Sequence, residues 1–339
     1  MIVFDKVAVI KPDHIGDLIL SAPAIGRIAD LASETTLFVA GGNVALARHL
    51  FPRLEVRRLD FPHLAKGGNA PPLSPGELRR MFRSFGIIFV LRSDGVLNRS
   101  SLDVLGRPVF LTAHLEGMHV TRSHAECLYG VIGHYDSDAY WPGDAQVWPS
   151  RIARVALVVG AGFPTNRWPA WYWARLVVLL QTRGLAVLLV GGPAEHDFLA
   201  AVARIAGLGN NAILHGSVDT IPDLLAQLAT CDVAIATDGG SAHLASLACP
   251  VLSLFTSSPY RRFAPFGREN RLITLDLPCS PCLNAHDRLV NLCLTHECSF
   301  GILPETVVSA IDAPSSPSGT LRPLEDPYGA RLVYGISHA

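Results

Sequence analysis

Residues 232–255 read DVAIATDGGSAHLASLACPVLSLF, and the order of these residue types decides the fold. Residues 231–237 are a short run of small and β-branched apolar residues, suited to one parallel strand buried on both faces. Asp238, Gly239, Gly240 and Ser241 break the run. Residues 242–248 resume with helical spacing, Leu244 and Leu247 on one side and small residues on the other. Pro250 then opens a second apolar run, 251–255. The unit is strand, tight turn, helix, strand. Gly239 and Gly240 let a ligand come close to the backbone because no Cβ intervenes. The free N–H groups at a helix start favour a phosphate. Asp238 falls at the carboxyl end of the strand, where open α/β sheets bind ligands, and His243 is placed to face the same crevice. A plain turn, with Asp238 or Ser241 as helix cap and His243 solvated, is the competing reading.

Working outward, 339 residues with 49% hydrophobic content suit two domains better than one. The expected division is 1–148, 149–312 and a Pro/Ser-rich C-terminal tail, 313–339. A formal net charge of −1 carries no nucleic-acid signature. No apolar run reaches the eighteen or so residues that span a membrane, and the N-terminus runs straight into a strand-like segment without a leader pattern. The expected location is the cytoplasm, with at most peripheral contact with the inner membrane. Seven cysteines in such a compartment read as thiols or metal ligands. Cys127, Cys231 and Cys249 lie in apolar contexts and read as core.

The first half alternates strand and helix: strand 2–10, helix 15–31, strand 35–40, helix 44–50, strand 54–59, helix 75–85, strand 87–91, helix 96–105, strand 108–112, helix 122–134. This is a doubly wound, Rossmann-like pattern. Between the first strand and helix stands KPDHIGDLILSAPAIGRI, residues 11–28. Its Asp13 and Asp17 read either as functional carboxylates or as ordinary helix caps. Residues 48–107 hold eleven basic and five acidic side chains. That excess fits a groove for an anionic acceptor or an arginine-rich solvated surface. Loop 62–74, rich in Gly and Pro, is placed to close over such an acceptor.

The second half restarts the pattern. Strand 154–159 leads into GAGFPTNRWP, residues 160–169, in which the Gly-x-Gly alone is a weak signal. Trp168 and Trp171 read as helix-packing residues. Strand 185–190 leads into Gly191-Gly192-Pro193-Ala194-Glu195, where Glu195 by itself reads as a first-turn helix charge. His215-Gly216 ends a further strand, and Ser217 or Asp219 is the expected cap of helix 219–228. Near the end, Cys279, Cys282, Cys293 and Cys298, with His286 and His296 nearby, have spacings that four thiolates around a zinc or iron ion can adopt. A set of reduced cysteines in a loop is the alternative.

Four of these runs, in this order, resemble glycosyltransferase family 9, the ADP-heptose:LPS heptosyltransferases. DGGSAHLA followed by PVLSLF resembles D-[ST]-G-x-x-H-[LI]-A … P-V-[VL]-x-[LI]-[FY]. KPDHIGDLILSAPAIGRI resembles R-x-x-x-[LI]-G-D-x-[IVL]-x-[TS]-x-P-x-[IL]. GAGFPTNRWP resembles G-[AS]-x-x-x-[ST]-K-x-W-P, and the 191–195 run resembles GGP-x-[ED]. The resemblance implies a GT-B architecture, two Rossmann-like domains facing a central cleft. It implies inverting, metal-independent transfer of a heptose or related sugar from an ADP-sugar to an acceptor hydroxyl on a lipopolysaccharide core, a natural product or a protein. Asp17 would be the general base, with Lys11, Asp13 and Gly16 on the acceptor side. Gly162, Thr165, Asn166, Arg167, Asp238, Gly239, Gly240 and His243 would hold the donor diphosphate, and Glu195 its ribose. Many family members carry the cysteine cluster, which implies at most a structural zinc or iron. The chain departs from the family at Lys11, at Gly239, where Ser or Thr is usual, and at Asn166, where Lys is usual. Two other functions stay open: a sugar-nucleotide epimerase on the same fold, and a non-catalytic nucleotide-sugar-binding scaffold. Oligomeric state is open.

Overall fold

The computed structural model describes residues 2–60, 74–92, 106–143, 147–162, 164–209, 213–214, 220–282 and 293–336. The expected closing loop 62–74 (except Ser74), helix 96–105, His215-Gly216, the caps Ser217 and Asp219, and His286 lie outside the described residues. The chain divides into two compact units, Met1–Pro142 and Gly143–Ala339. The division precedes the expected 148/149 boundary because Trp148, 6% exposed, packs into the core of the second unit.

In the first unit β1 (Phe4–Lys11), β2 (Ala32–Val39), β3 (Glu55–Arg58), β4 (Ile87–Val90) and β5 (Val109–Leu111) make one parallel sheet, ordered β3-β2-β1-β4-β5. The chain winds one way from β1 and then the other, so the reversal lies between β1 and β4. Such a reversal leaves a crevice at the carboxyl ends of the strands. Phe38, Phe82 and Phe85 pack ring to ring in this core, with centroids 4.9 to 6.1 Å apart. The expected helix 15–31 is two helices, Ile15–Leu20 and Ala22–Asp30, separated at Ser21. Pro23 is the reason: it has no N–H to continue the first helix but suits the first turn of the second.

In the second unit β6 (Arg154–Val158), β7 (Ala186–Val190), β8 (Ile213–Leu214), β9 (Val233–Thr237), β10 (Val251–Phe255) and β11 (Gly267–Leu275) are parallel. Their order is β11-β10-β9-β6-β7-β8, with the reversal beside β6. Helix Ala170–Thr182 covers one face, and Trp173 anchors it with no exposure. Trp171, expected to pack, is 57% exposed. The helix turns 100° per residue, so Trp173 and Trp171 lie on opposite faces and only one can meet the sheet. Helix Ile221–Leu228 is capped by Thr220, whose hydroxyl accepts from the Asp223 N–H.

The expected tail is sheet. β13 (Ala330–Ile336) pairs antiparallel with β11, and β12 (Leu321–Pro323) pairs antiparallel with β13 at the sheet's edge. The Pro/Ser-rich run ends at residue 318, and beyond it Ala330, Leu332, Val333 and Tyr334 are at most 4% exposed. Burying each large side chain contributes roughly 1.5–3 kcal/mol. Truncation after Ala313 therefore removes about 5 kcal/mol or more, as much as many domains possess in total. The expected outcome in urea unfolding is loss of the second unit's transition; a truncated chain that melts like the full one would restore the tail reading.

Candidate active site

Three loops meet at the carboxyl end of β6. The Gly160 carbonyl accepts from Thr237 Oγ1 at 3.0 Å and from Ser241 Oγ at 3.2 Å, which ties the loop after β6 to the turn after β9. Glu195 closes the loop after β7, its carboxylate accepting from the Gly192 N–H at 2.9 Å. A Cβ on Gly160 would sit 3.6 Å from the Glu195 carboxyl carbon and 3.7 Å from Ser241 Oγ. Glu195, Gly160 and the 238–241 turn are thus neighbours. A Cβ on Gly162 would meet nothing within 4 Å, and one on Gly239 only backbone atoms at 3.9 Å. The protein's own packing does not require glycine at either place. Glycine there leaves the backbone open to a close approach from outside. The helix that follows is short, Gly240–Ala245, with His243 buried in it.

Asn166 ties the loops together from below. It is 3% exposed, and its amide nitrogen donates to the Asp238 carboxylate at 3.1 Å, the Asp238 carbonyl at 3.3 Å and Ser258 Oγ at 3.3 Å. Its oxygen accepts from Ser257 Oγ and from Thr256 Oγ1. Thr165 Oγ1 lies 3.1 Å from Ser257 Oγ. Asn166 is therefore turned inward and Arg167 is exposed, its carbonyl accepting from Ser299 Oγ. Next to it, Trp168 is buried and donates from Nε1 to the Ile302 carbonyl, which fixes the loop to the core. The hydroxyl run Thr256-Ser257-Ser258 escaped the sequence reading. Its position directly after an apolar strand was the available signal. Asp238 is 5% exposed, and burial pushes its carboxyl up to about 6 against the hydrogen bonds from Ser258 and Asn166. No cation pairs with it among the described residues. Asn stands where a lysine would have supplied one.

In the first unit the carboxyl end of β1 carries a buried ionic cluster. Asp13 is held by Lys11 at 3.0 Å and by Arg92 at 2.6 Å, and its carbonyl accepts from Asn43 at 2.7 Å. Lys11 also donates to the Leu91 carbonyl at 2.7 Å. Lys11 and Arg92 are 4% and 7% exposed. Arg92 was visible in the sequence only as part of the basic excess; its place after β4 puts it across from Asp13. Neither acidic residue caps the helix: the N-cap is His14, without a side-chain cap. Asp17 lies in the first turn, beside buried Gly16. Burial raises the Asp17 carboxyl above its ordinary value, with Lys11 pulling the other way and Asp13 adding to the rise. The turn is pinned from the Val120–Ile132 helix. Ser21 Oγ donates to the Asp17 carbonyl at 2.7 Å and sits 3.0 Å from His124 Nε2, and Thr121 Oγ1 donates to the Leu20 carbonyl at 2.9 Å.

The structural metal expected at Cys279, Cys282, Cys293 and Cys298 does not fit. Among the described residues no group of three or more His, Cys, Asp or Glu side chains is arranged to hold an ion. Cys298 is buried and Cys279 exposed, with the other two between. Burial first, and then the neighbouring cysteines, push Cys298 up to about 12 and raise Cys282. Cys231 and Cys249 are buried as expected, while Cys127 is only half-buried. No helix among the described residues is long and apolar enough to cross a membrane.

Residues 144–292 match glycosyltransferase family 9 (heptosyltransferase). Lipooligosaccharide heptosyltransferase 2 of Campylobacter jejuni subsp. jejuni serotype O:6 is 26% identical over 162 residues, 47% of this chain and 50% of that protein. The chain thus aligns with half the length of that relative. The fold is similar to E. coli ADP-heptose LPS heptosyltransferase II, with a TM-score of 0.61 at 17% identity over 90% of this chain and 98% of the other. An E. coli heptosyltransferase solved with ADP has a TM-score of 0.56 at 14% identity, over 77% of this chain and 91% of the other. The fold is accordingly α/β of the GT-B class, with two Rossmann-like units.

Two predictions test these clusters. Asp238 binds its proton more tightly folded than unfolded, so it favours folding below its ordinary 3.8, and that contribution is lost as pH rises through about 6. Asp238→Asn is expected to be more stable than wild type at pH 7.5 by on the order of 3 kcal/mol and to show no such gain at pH 3.5, read by denaturant melts. Asp13→Ala strands two buried cations, and a cost of about 3–5 kcal/mol is expected in the same assay; a change below 1 kcal/mol would mean the cluster is solvated.

Proposed function

Since residues 144–292 match glycosyltransferase family 9 (heptosyltransferase), we propose that the chain is an inverting transferase moving a heptose, or a related sugar, from an ADP-sugar to an acceptor hydroxyl. The observation that carries this reading is the meeting of the Gly160–Gly162, Gly192–Glu195 and Asp238–Ser241 loops at one strand end inside the matched stretch. The donor's diphosphate lies against the open backbone at Gly162, Gly239 and Gly240, where N–H groups meet its charge without a divalent ion. Arg167 adds a cation, and Thr165 a hydroxyl. Glu195 takes the ribose hydroxyls, a carboxylate being able to accept from both.

The acceptor binds beside Lys11, Asp13 and Gly16. The Asp17 carboxylate removes the proton from its hydroxyl as that oxygen bonds to the anomeric carbon. The bond from that carbon to the β-phosphate oxygen breaks on the opposite face, and ADP leaves with the electron pair, so the configuration inverts. A raised carboxyl suits this work, since a base is best poised nearer the working pH. The acceptor is a lipopolysaccharide core glycan in this proposal, with a natural product or a protein as the other candidates. The work is placed in the cytoplasm.

The test is ADP release from ADP-heptose across an acceptor panel, by wild type and Asp17→Asn. The expected outcome is acceptor-dependent release in which Asp17→Asn lowers kcat about 10²- to 10⁴-fold while ADP-heptose still binds. Wild-type activity should fall as pH drops through the raised value of Asp17. Turnover of donor without acceptor would point to an epimerase. Binding without turnover would point to a scaffold.

A further inference from the structure

A cavity of about 540 Å³ opens in the second unit at the amino ends of β6 and β7, the opposite edge of the sheet from the candidate donor site. Its walls come from the entry segment (Trp148, Ile152), the end of helix Ala170–Thr182 (Arg183), β11 (Arg271) and the segment after helix Pro304–Asp312 (Asp312, Ser315). That volume lies in the range of small-molecule sites.

Arg271 makes the cavity unusual. It is 3% exposed, yet no carboxylate among the described residues forms an ion pair with it. Its bonds run to neutral oxygens: Nη1 to the Ala313 carbonyl at 2.8 Å and the Ala310 carbonyl at 3.3 Å, Nη2 to Ser315 Oγ at 3.4 Å. One face lies 3.8 Å over the Trp148 ring. The nearby Glu269 carboxylate accepts from the Trp148 N–H. Burial lowers the guanidinium to about 10, against the opposing pull of the Tyr334 and Glu269 side chains. The carbonyls at the helix end meet part of its charge, and two of the three bonds are long. At the wall, Arg183 is held by Asp312 at 2.6 Å.

A guanidinium is a planar fork that suits a carboxylate or phosphate two oxygens at a time. Trp148, Ile152, Leu185 and Ile311 give the same cavity an apolar side. We infer that this cavity is a binding site for a small organic anion, its carboxylate or phosphate set against Arg271 and its apolar body against the Trp148 side. Occupancy would tie the segment 313–315 to the sheet and stabilise the folded chain by mass action.

The test is calorimetric titration of the full chain with benzoate and, separately, with inorganic phosphate. Saturable binding of benzoate alone assigns a carboxylate ligand, and of phosphate alone a phosphate ester. Ser315→Glu tethers a carboxylate beside the guanidinium and is expected to weaken the bound probe at least tenfold while raising Tm. Arg271→Met is expected to weaken it equally, with folding checked by circular dichroism. If that variant does not fold, Ser315→Glu decides. The assignment is overturned if neither probe binds saturably, or if Ser315→Glu binds as wild type does, since the probe would then sit elsewhere on the chain.

Discussion

A doubly wound parallel sheet opens a crevice at the carboxyl ends of its strands where the winding reverses, and each unit is organised by that constraint. The loops leaving those ends carry backbone and side-chain groups that must find partners as they enter the protein. In the second unit Asn166 is where they find them: one buried amide engages Asp238, Thr256, Ser257 and Ser258 from two strand ends. Below the turn Asn166 and the hydroxyls of 256–258 bond to one another; above it, at Gly162 and Gly239, the backbone is left open.

The two units neutralise their buried carboxylates differently. Asp13 has a cation on each side, so its charge is compensated and its geometry fixed. Burial raises the Asp238 carboxyl, and its neutral donors Ser258 and Asn166 offset that rise only in part. A buried carboxylate given amide and hydroxyl partners in place of a cation loses part of the preference for ionisation. Asn166 thus leaves Asp238 without a paired cation among the described residues, and Arg167, exposed at the rim, is the basic side chain of the 160–169 loop.

The same economy of charge marks the opposite edge of the sheet. Arg271 is stacked on Trp148 and held by the carbonyls at a helix end, an arrangement that positions the guanidinium while leaving an opening beside it. The entry segment and the segment beyond residue 312 both contribute to this wall. The C-terminal strands thus belong to the architecture of the second unit, with β13 paired along β11.

Sequence by itself determined the alternation of strands and helices, the two doubly wound halves and the turn at 238–241, because period and glycine placement are local properties. It also marked Asp238 by its place after an apolar run, and Asp17, Gly162 and Glu195 through the resemblance of their runs to glycosyltransferase family 9. Tertiary structure decided the rest. The break at Ser21 followed from Pro23, and the strand status of 330–336 depended on a partner strand some sixty residues earlier. Which tryptophan packs was settled by the direction in which the sheet lies. Arg92 joined Asp13 through the neighbouring positions of β1 and β4, eighty residues apart in sequence. Spacing made the four cysteines look like a metal site, but their placement among the described residues did not converge. Pairings between distant segments have no local signature, and charge compensation depends on the field of everything nearby.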